Sequence, residues 1–185
     1  METIKILMIS AGASPIPAVK GGATENMMTH LIDVNENEQS FEFCIVNRYD
    51  EEAIEASKSY KHSTFRFYKP GFFDKCYSLF FRSLRTITHG IISVKTLYTR
   101  FCGSVVSDFN PDLVLLEGNY FQVNQIRKYV KKRPLILHVH IDGVNKELDL
   151  ADRVIRDSDG IVVISNYCRD RVIEVNPACA DKVMV

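Results

Sequence analysis

The feature that most constrains this chain is a series of short apolar runs that are too continuous for a sheet with one wet face. "IKILMIS" (4–10), "FEFCIVN" (41–47), "DLVLLEG" (112–118), "PLILHVH" (134–140) and "GIVVIS" (160–165) are rich in Ile, Val and Leu. Several run on with little polar alternation, which suits strands buried on both faces, as in a parallel sheet. "TFRFYK" (64–69) alternates and reads as a further strand, and "DKVMV" (181–185) begins like one more.

Helical periodicity fills the gaps. Met27, Met28, Leu31 and Ile32 share a face, as do Val123, Ile126 and Val130 in "QVNQIRKYVKK" (122–132). "KELDLADRVIRDS" (146–158) groups Leu148, Ala151 and Ile155, and "NYCRDRVIEV" (166–175) follows the last clear run. The longest helix is expected over 77–108, where Phe80, Leu84, Ile87, Ile91, Val94, Tyr98, Phe101 and Val105 recur at steps of three and four. That stripe reads as a core face. Arg82, Arg85, His89 and Arg100 fall opposite it, and Gly90 is a point where it would soften or kink. Strands alternating with helices predict βαβ units: a Rossmann-like, doubly wound α/β domain with a mainly parallel sheet and helices on both faces. With 185 residues and no linker or repeat, 1–185 reads as one domain.

Composition narrows the class. Apolar residues make up 46% and charged residues 25%, with a formal net charge of zero, so the total charge points to no nucleic-acid partner. The distribution is uneven, because 56–107 carries nine basic residues against Asp74 alone. A stretch at +8 marks either a solvated basic face or a contact with an anionic partner or membrane surface. Five scattered cysteines without a C-x-x-C pair fit free thiols in a reducing compartment. The N-terminus lacks the pattern of a signal peptide, and no run approaches the roughly 18 apolar residues of a membrane span. A cytoplasmic location is expected, with peripheral membrane contact compatible.

In an open α/β sheet, ligands bind beyond the carboxyl ends of the strands. That rule selects 10–22, 47–50, 117–122, 138–143 and 165–167. The first loop ends in "KGGATEN", with Gly21 and Gly22 at a helix start that would ordinarily prefer Ser, Thr, Asp or Asn. It is neither G-x-G-x-x-G nor a phosphate loop with G-K-[ST], which argues against a nicotinamide oxidoreductase. Bare N–H groups there suit a phosphate or a sugar hydroxyl at close range, and a plain flexible turn is the competing reading. In "HVHIDG", strand alternation sends His138 and His140 to one face. The pair could chelate a metal, but no third ligand is evident, so no metal is expected. His140 lies nearer the strand end and is better placed for a ligand, unless it is a satisfied buried imidazole. Glu117 could accept hydrogen bonds from a polyhydroxylated ligand, Asp142 could orient a hydroxyl or cap a helix, and Ser165 fits an N-cap. There is no G-x-S-x-G and no Cys-His pair at recognisable spacing, so a covalent nucleophile has no support.

These places together resemble a known family. "IKILMIS…PAVKGGATENMMTHLID", "NPDLVLLEG" (110–118), "RPLILHVHIDG" (133–143) and "ADRVIRDSDGIVVISNYCRDRVIE" (151–174) are similar, in that order, to segments of retaining GT-B glycosyltransferases. That group contains the glycogen synthases and bacterial mannosyl- and glucosyltransferases. The resemblance implies the acceptor-side, N-terminal half of such an enzyme, lacking a C-terminal nucleotide-sugar domain and inactive alone. It implies a nucleotide-sugar donor, no metal or other cofactor, and a glycan or lipid-linked acceptor. The basic stretch 58–100 is compatible with an acceptor at the inner membrane face. Gly21 and Gly22 would approach the donor phosphates or the acceptor, His140 would sit beside the transferred sugar, and Ser165 would shape the cleft. The sequence departs from the pattern at Thr24, where the family often has Glu, with Glu25 one residue on. Register from Pro134 favours His140 as the matching histidine, and His138 would need a two-residue slip. The alternative is a non-catalytic α/β module that binds a nucleotide or carbohydrate.

Overall fold

The computed structural model describes residues 3–87 and 96–185. Seven strands form one sheet: β1 (Ile4–Ile9), β2 (Phe41–Arg48), β3 (Ser63–Tyr68), β4 (Leu113–Glu117), β5 (Leu135–Val139), β6 (Gly160–Val163) and β7 (Val183–Met184). Every pairing is parallel, and the order is β3-β2-β1-β4-β5-β6-β7. The chain winds outward from β1 to β3, returns to the middle, and winds the other way from β4 to β7. The reversal falls between β1 and β4, which is the topological switch point of a doubly wound sheet.

The helices are α1 (Ala23–Glu38), α2 (Glu51–Ser57), α3 (Phe72–Ile87), α4 (Leu97–Phe109), α5 (Val123–Val130), α6 (Ala151–Asp157) and α7 (Asn166–Val175). Strand alternation divides the core in two. Leu7 and Ile9 of β1, Val114 and Leu116 of β4, and Leu137 and Val139 of β5 pack with Val105, Ile126, Ile155 and Val172 of α4 to α7. Met8, Phe43 and Ile45 face the other way, onto Met28 and Ile32 of α1 and Ile16 of the loop between β1 and α1. Strands β1 and β2 are therefore covered on both sides, as their continuous apolar runs require. One side chain joins several elements on the first layer. Arg127 of α5 donates to the backbone carbonyls of Lys131, Arg133 and Asp157 and pairs with Asp159 at 2.6 Å.

Three expectations change. The single helix over 77–108 is two helices, because Thr96 is extended (φ −129°, ψ 154°) and caps α4 by accepting from Thr99 N. Its stripe divides accordingly. Tyr98 and Val105 are buried and Phe101 packs half-buried against the core, whereas Phe80 and Ile87 of α3 face outward. Period reports that a helix has an apolar face; it does not report what that face meets. Gly90, His89, Ile91 and Val94 lie outside the described residues. The helix expected over 146–158 is shorter, since Asn145 captures the local backbone: its side chain accepts from Glu147 N, and its carbonyl accepts from Leu148 N. Helix α2 is additional; Asp50 caps it by accepting from Glu52 N and Ala53 N.

Candidate active site at the switch point

The site begins with strand register. Glu117 is the last residue of β4 and stands directly opposite His138 of β5 in the parallel ladder. His140 follows two residues later, on the same side of the chain as His138. Leu116, Leu137 and Val139 point into the core between these positions, and that packing fixes the polar set on the opposite face. One carboxylate oxygen serves both imidazoles: Glu117 Oε2 lies 2.7 Å from His140 Nε2 and 3.2 Å from His138 Nδ1. The two rings sit 4.2 Å apart, centroid to centroid.

Glu117 is completely buried. Burial pushes its carboxyl up, and the hydrogen bonds and charges of His138 and His140 outweigh that push and hold it below its ordinary value. The carboxylate in turn selects the tautomers. When neutral, His140 carries its proton on Nε2 toward Glu117 and leaves the Nδ1 lone pair free. Polar capacity remains beside this cluster. Glu117 Oε1 and Asn119 Nδ2 are buried and have no hydrogen-bond partner among the described residues. An unmet acceptor and an unmet donor two residues apart are the kind of exception that a ligand or ordered water fills.

Two further segments close around the cluster. Gly118, at φ +64°, brings bare backbone against His140: a β-carbon there would lie 3.6 Å from His140 Cδ2 and 4.0 Å from Ala11 Cβ. Ala11 belongs to the loop after β1, so the ends of β1, β4 and β5 converge at this point. Tyr98 of α4 positions that loop, its buried hydroxyl donating to Ser10 O at 3.0 Å. A cleft of about 470 Å³ extends from Ala11 and Gly12 toward Arg48, Tyr68, Thr96 and Gln122.

The structure brings Glu117, His138 and His140 together, and gives the other sequence candidates different partners. Gly21 (φ +74°) and Gly22 (φ +105°) have backbone that disfavours any side chain, and Gly22 is the N-cap of α1. The carboxylate of Glu25, at the third helical position, folds back over it, 2.2 Å from where a β-carbon on Gly22 would stand. Glu25 thus places its own negative charge at the helix start, the placement of a capping box. Asp142 accepts from Asn145 Nδ2 (3.0 Å), Tyr167 Oη (3.3 Å) and Arg171 Nε (3.3 Å), which braces the loop after β5 against α7. The Asn145 hydrogen bond, with Arg171 and Tyr167, holds its carboxyl below the ordinary range. Asp142 caps no helix; α6 starts after Leu150. Ser165 is the N-cap of α7, accepting from Cys168 N.

Sequence reading missed Asn119, Gly118 and the Ala11 contact, and it found no third donor to join the histidines. Glu117 is that donor, and the three ligand atoms lie within 4.8 Å of one another. Its register with His138 was available only from strand pairing. The arrangement can hold protons between a carboxylate and two imidazoles or, with those protons displaced, a divalent cation.

The sheet order and its switch point define a doubly wound, Rossmann-like α/β fold, with the polar cluster beside the reversal of strand order. No family profile matches the chain, and no curated sequence does. Solved structures give the comparison. HepE of Anabaena in complex with UDP-glucose superposes with a TM-score of 0.59 at 12% identity, covering 98% of this chain and 43% of that one. UDP-GlcNAc 2-epimerase of Neisseria meningitidis bound to UDP-GlcNAc gives 0.53 at 19% identity, covering 98% and 45%. UGT89C1 of Arabidopsis thaliana complexed with UDP gives 0.54 at 14% identity, covering 100% and 52%. At such identities the likeness is one of fold. The chain spans about half the length of each.

Proposed function

We propose that this chain is the N-terminal, acceptor-side half of an enzyme acting on nucleotide sugars, and that the enzyme transfers a sugar to a glycan or lipid-linked acceptor with retention. The observation that carries the reading is the buried Glu117 carboxylate holding His140 at the switch point, where α/β sheets bind ligands. In this reading Glu117 fixes the ring of His140, and His140 Nδ1 accepts a hydrogen bond from a hydroxyl of the transferred sugar. Glu117 Oε1 and Asn119 Nδ2 supply a second acceptor and a donor. The acceptor substrate enters along the cleft lined by Arg48 and Gln122. A second domain supplies the nucleotide contacts, since stabilising a leaving nucleoside diphosphate needs both walls of a cleft. The order of sequence motifs, rather than any geometry, supports retention and the absence of a metal.

A second reading rests on the likeness to a UDP-GlcNAc 2-epimerase. A carboxylate–imidazole cluster also suits taking a proton from a sugar carbon and returning it. One experiment separates the two. The complete protein is incubated with UDP- and GDP-sugars in deuterated water, with and without glycan and lipid-linked acceptors. Transfer predicts nucleoside diphosphate release that depends on acceptor, with the donor's anomeric configuration kept in the product by NMR. Epimerisation predicts an altered sugar and deuterium incorporation without acceptor. The 185-residue chain alone should turn over nothing; measurable turnover by it contradicts the half-enzyme reading.

A further inference from the structure

Glu117, His138 and His140 hold protons between them, and the same three atoms are also a set of metal donors. Two imidazole nitrogens and one carboxylate oxygen lie within 4.8 Å of one another. Tetrahedral zinc, bound at about 2.0–2.2 Å by N and O donors, sets its ligands about 3.4 Å apart. The 3.2 Å between Glu117 Oε2 and His138 Nδ1 is close to that spacing. The 2.7 Å to His140 Nε2 reaches it if the ring withdraws by less than about 1 Å. The side chains of His138 and His140 are 19% and 16% exposed, so the rings have room to shift and an ion has a way in. Strand pairing holds the donors together: Glu117 stands opposite His138 in the β4–β5 ladder, and Gly118 N donates to His138 O at 2.8 Å. The carboxylate itself is completely buried, and its Oε1 has no hydrogen-bond partner among the described residues. A buried anion with one oxygen unmet is undercompensated, and a cation is the ligand that compensates it.

Donor type selects the ion. Two imidazoles and one carboxylate suit zinc and its late first-row neighbours, whereas magnesium and calcium prefer oxygen ligands. We infer that Glu117, His138 and His140 form a site for a divalent ion of the zinc class, and that the ion blocks the sugar site instead of serving it. The block rests on the role proposed above for His140; the metal site does not. In the metal-free cluster the neutral His140 ring turns its Nε2 proton toward Glu117, and Nδ1 is an acceptor. With Nε2 bound to the ion, the neutral ring carries its proton on Nδ1 instead. Nε2 gives its proton to solvent and Nδ1 takes one from solvent, so the charge of the ring is unchanged. The atom that would accept from a sugar hydroxyl becomes one that can only donate.

The test is equilibrium dialysis of the complete protein, stripped of metal with a chelator, against Zn²⁺ alone and against Zn²⁺ with excess Mg²⁺. The expected result is a bound zinc that Mg²⁺ does not displace. Glu117→Gln and His138→Ala, each checked for an unchanged melting transition, should bind zinc about a hundredfold more weakly. If Glu117→Gln fails to fold, His138→Ala at its part-exposed position carries the comparison. A wild type that binds no zinc would overturn the site, as would zinc displaced by Mg²⁺ or bound as tightly by the folded variants. In parallel, Zn²⁺ should inhibit nucleoside diphosphate release, and the chelator should restore it. His138→Ala, whatever its own rate, should need roughly tenfold or more zinc for the same fractional inhibition. Zinc that fills the site without slowing release would overturn the block and leave the site standing. A protein that binds zinc yet releases no nucleoside diphosphate from any nucleotide sugar would contradict the transfer reading and support the metal site.

Discussion

Glu117 is a carboxylate that burial alone would neutralise, and two imidazoles keep it ionised. That linkage has a sign. A carboxyl held below its unfolded value contributes stability that is complete above the ordinary value of 4.5. The contribution is lost as pH falls through the lower folded value, because the unfolded chain binds the proton first. Melting curves should therefore show the wild type losing more stability than Glu117→Gln between about pH 5 and pH 3. Parallel pH profiles for the two proteins would mean that the buried carboxylate is not ionised. The sequence singled out Glu117, His138 and His140 separately as strand-end residues. It could not join them, because the contact is set by which residue of β4 stands opposite which residue of β5.

At the scale of elements, the helix starts are the sharpest case. The double glycine before α1 looks like a surrendered cap, and Gly22 indeed makes no side-chain cap hydrogen bond. Its conformation and the returning carboxylate of Glu25 explain why nothing larger stands there. Gly22→Ala should cost about 1–3 kcal/mol in a denaturant titration. Adding Glu25→Ala should recover only the part due to crowding, since the positive φ remains. Full recovery would show that the backbone at Gly22 is not the constraint. Strand positions were legible because their apolar runs need two-sided burial, and α7 was legible from its cap and period. Helix α3 was not, because an outward and an inward apolar stripe have the same period. Only the exposure of Phe72, Leu79, Phe80 and Ile87 reveals which way it is turned.

At the scale of the molecule, the chain is a doubly wound sheet whose polar cluster sits at the reversal of strand order. The fold class followed from the alternation of runs and periods. The site followed from the fold only in outline: the rule of strand ends gave five loops, and tertiary register chose among them. Gly21 and Gly22 organise the start of α1, Asp142 braces a loop and Ser165 caps α7, each with partners inside the chain. The catalytic proposal therefore rests on His140, held by Glu117. The most direct measurement is nucleoside diphosphate release by the complete protein and by its His140→Ala variant, each checked for the same melting transition. The account predicts that kcat/KM falls roughly a hundredfold or more in the variant. Turnover within about twofold of the wild type, or a complete protein that releases no nucleoside diphosphate from any nucleotide sugar, would contradict it.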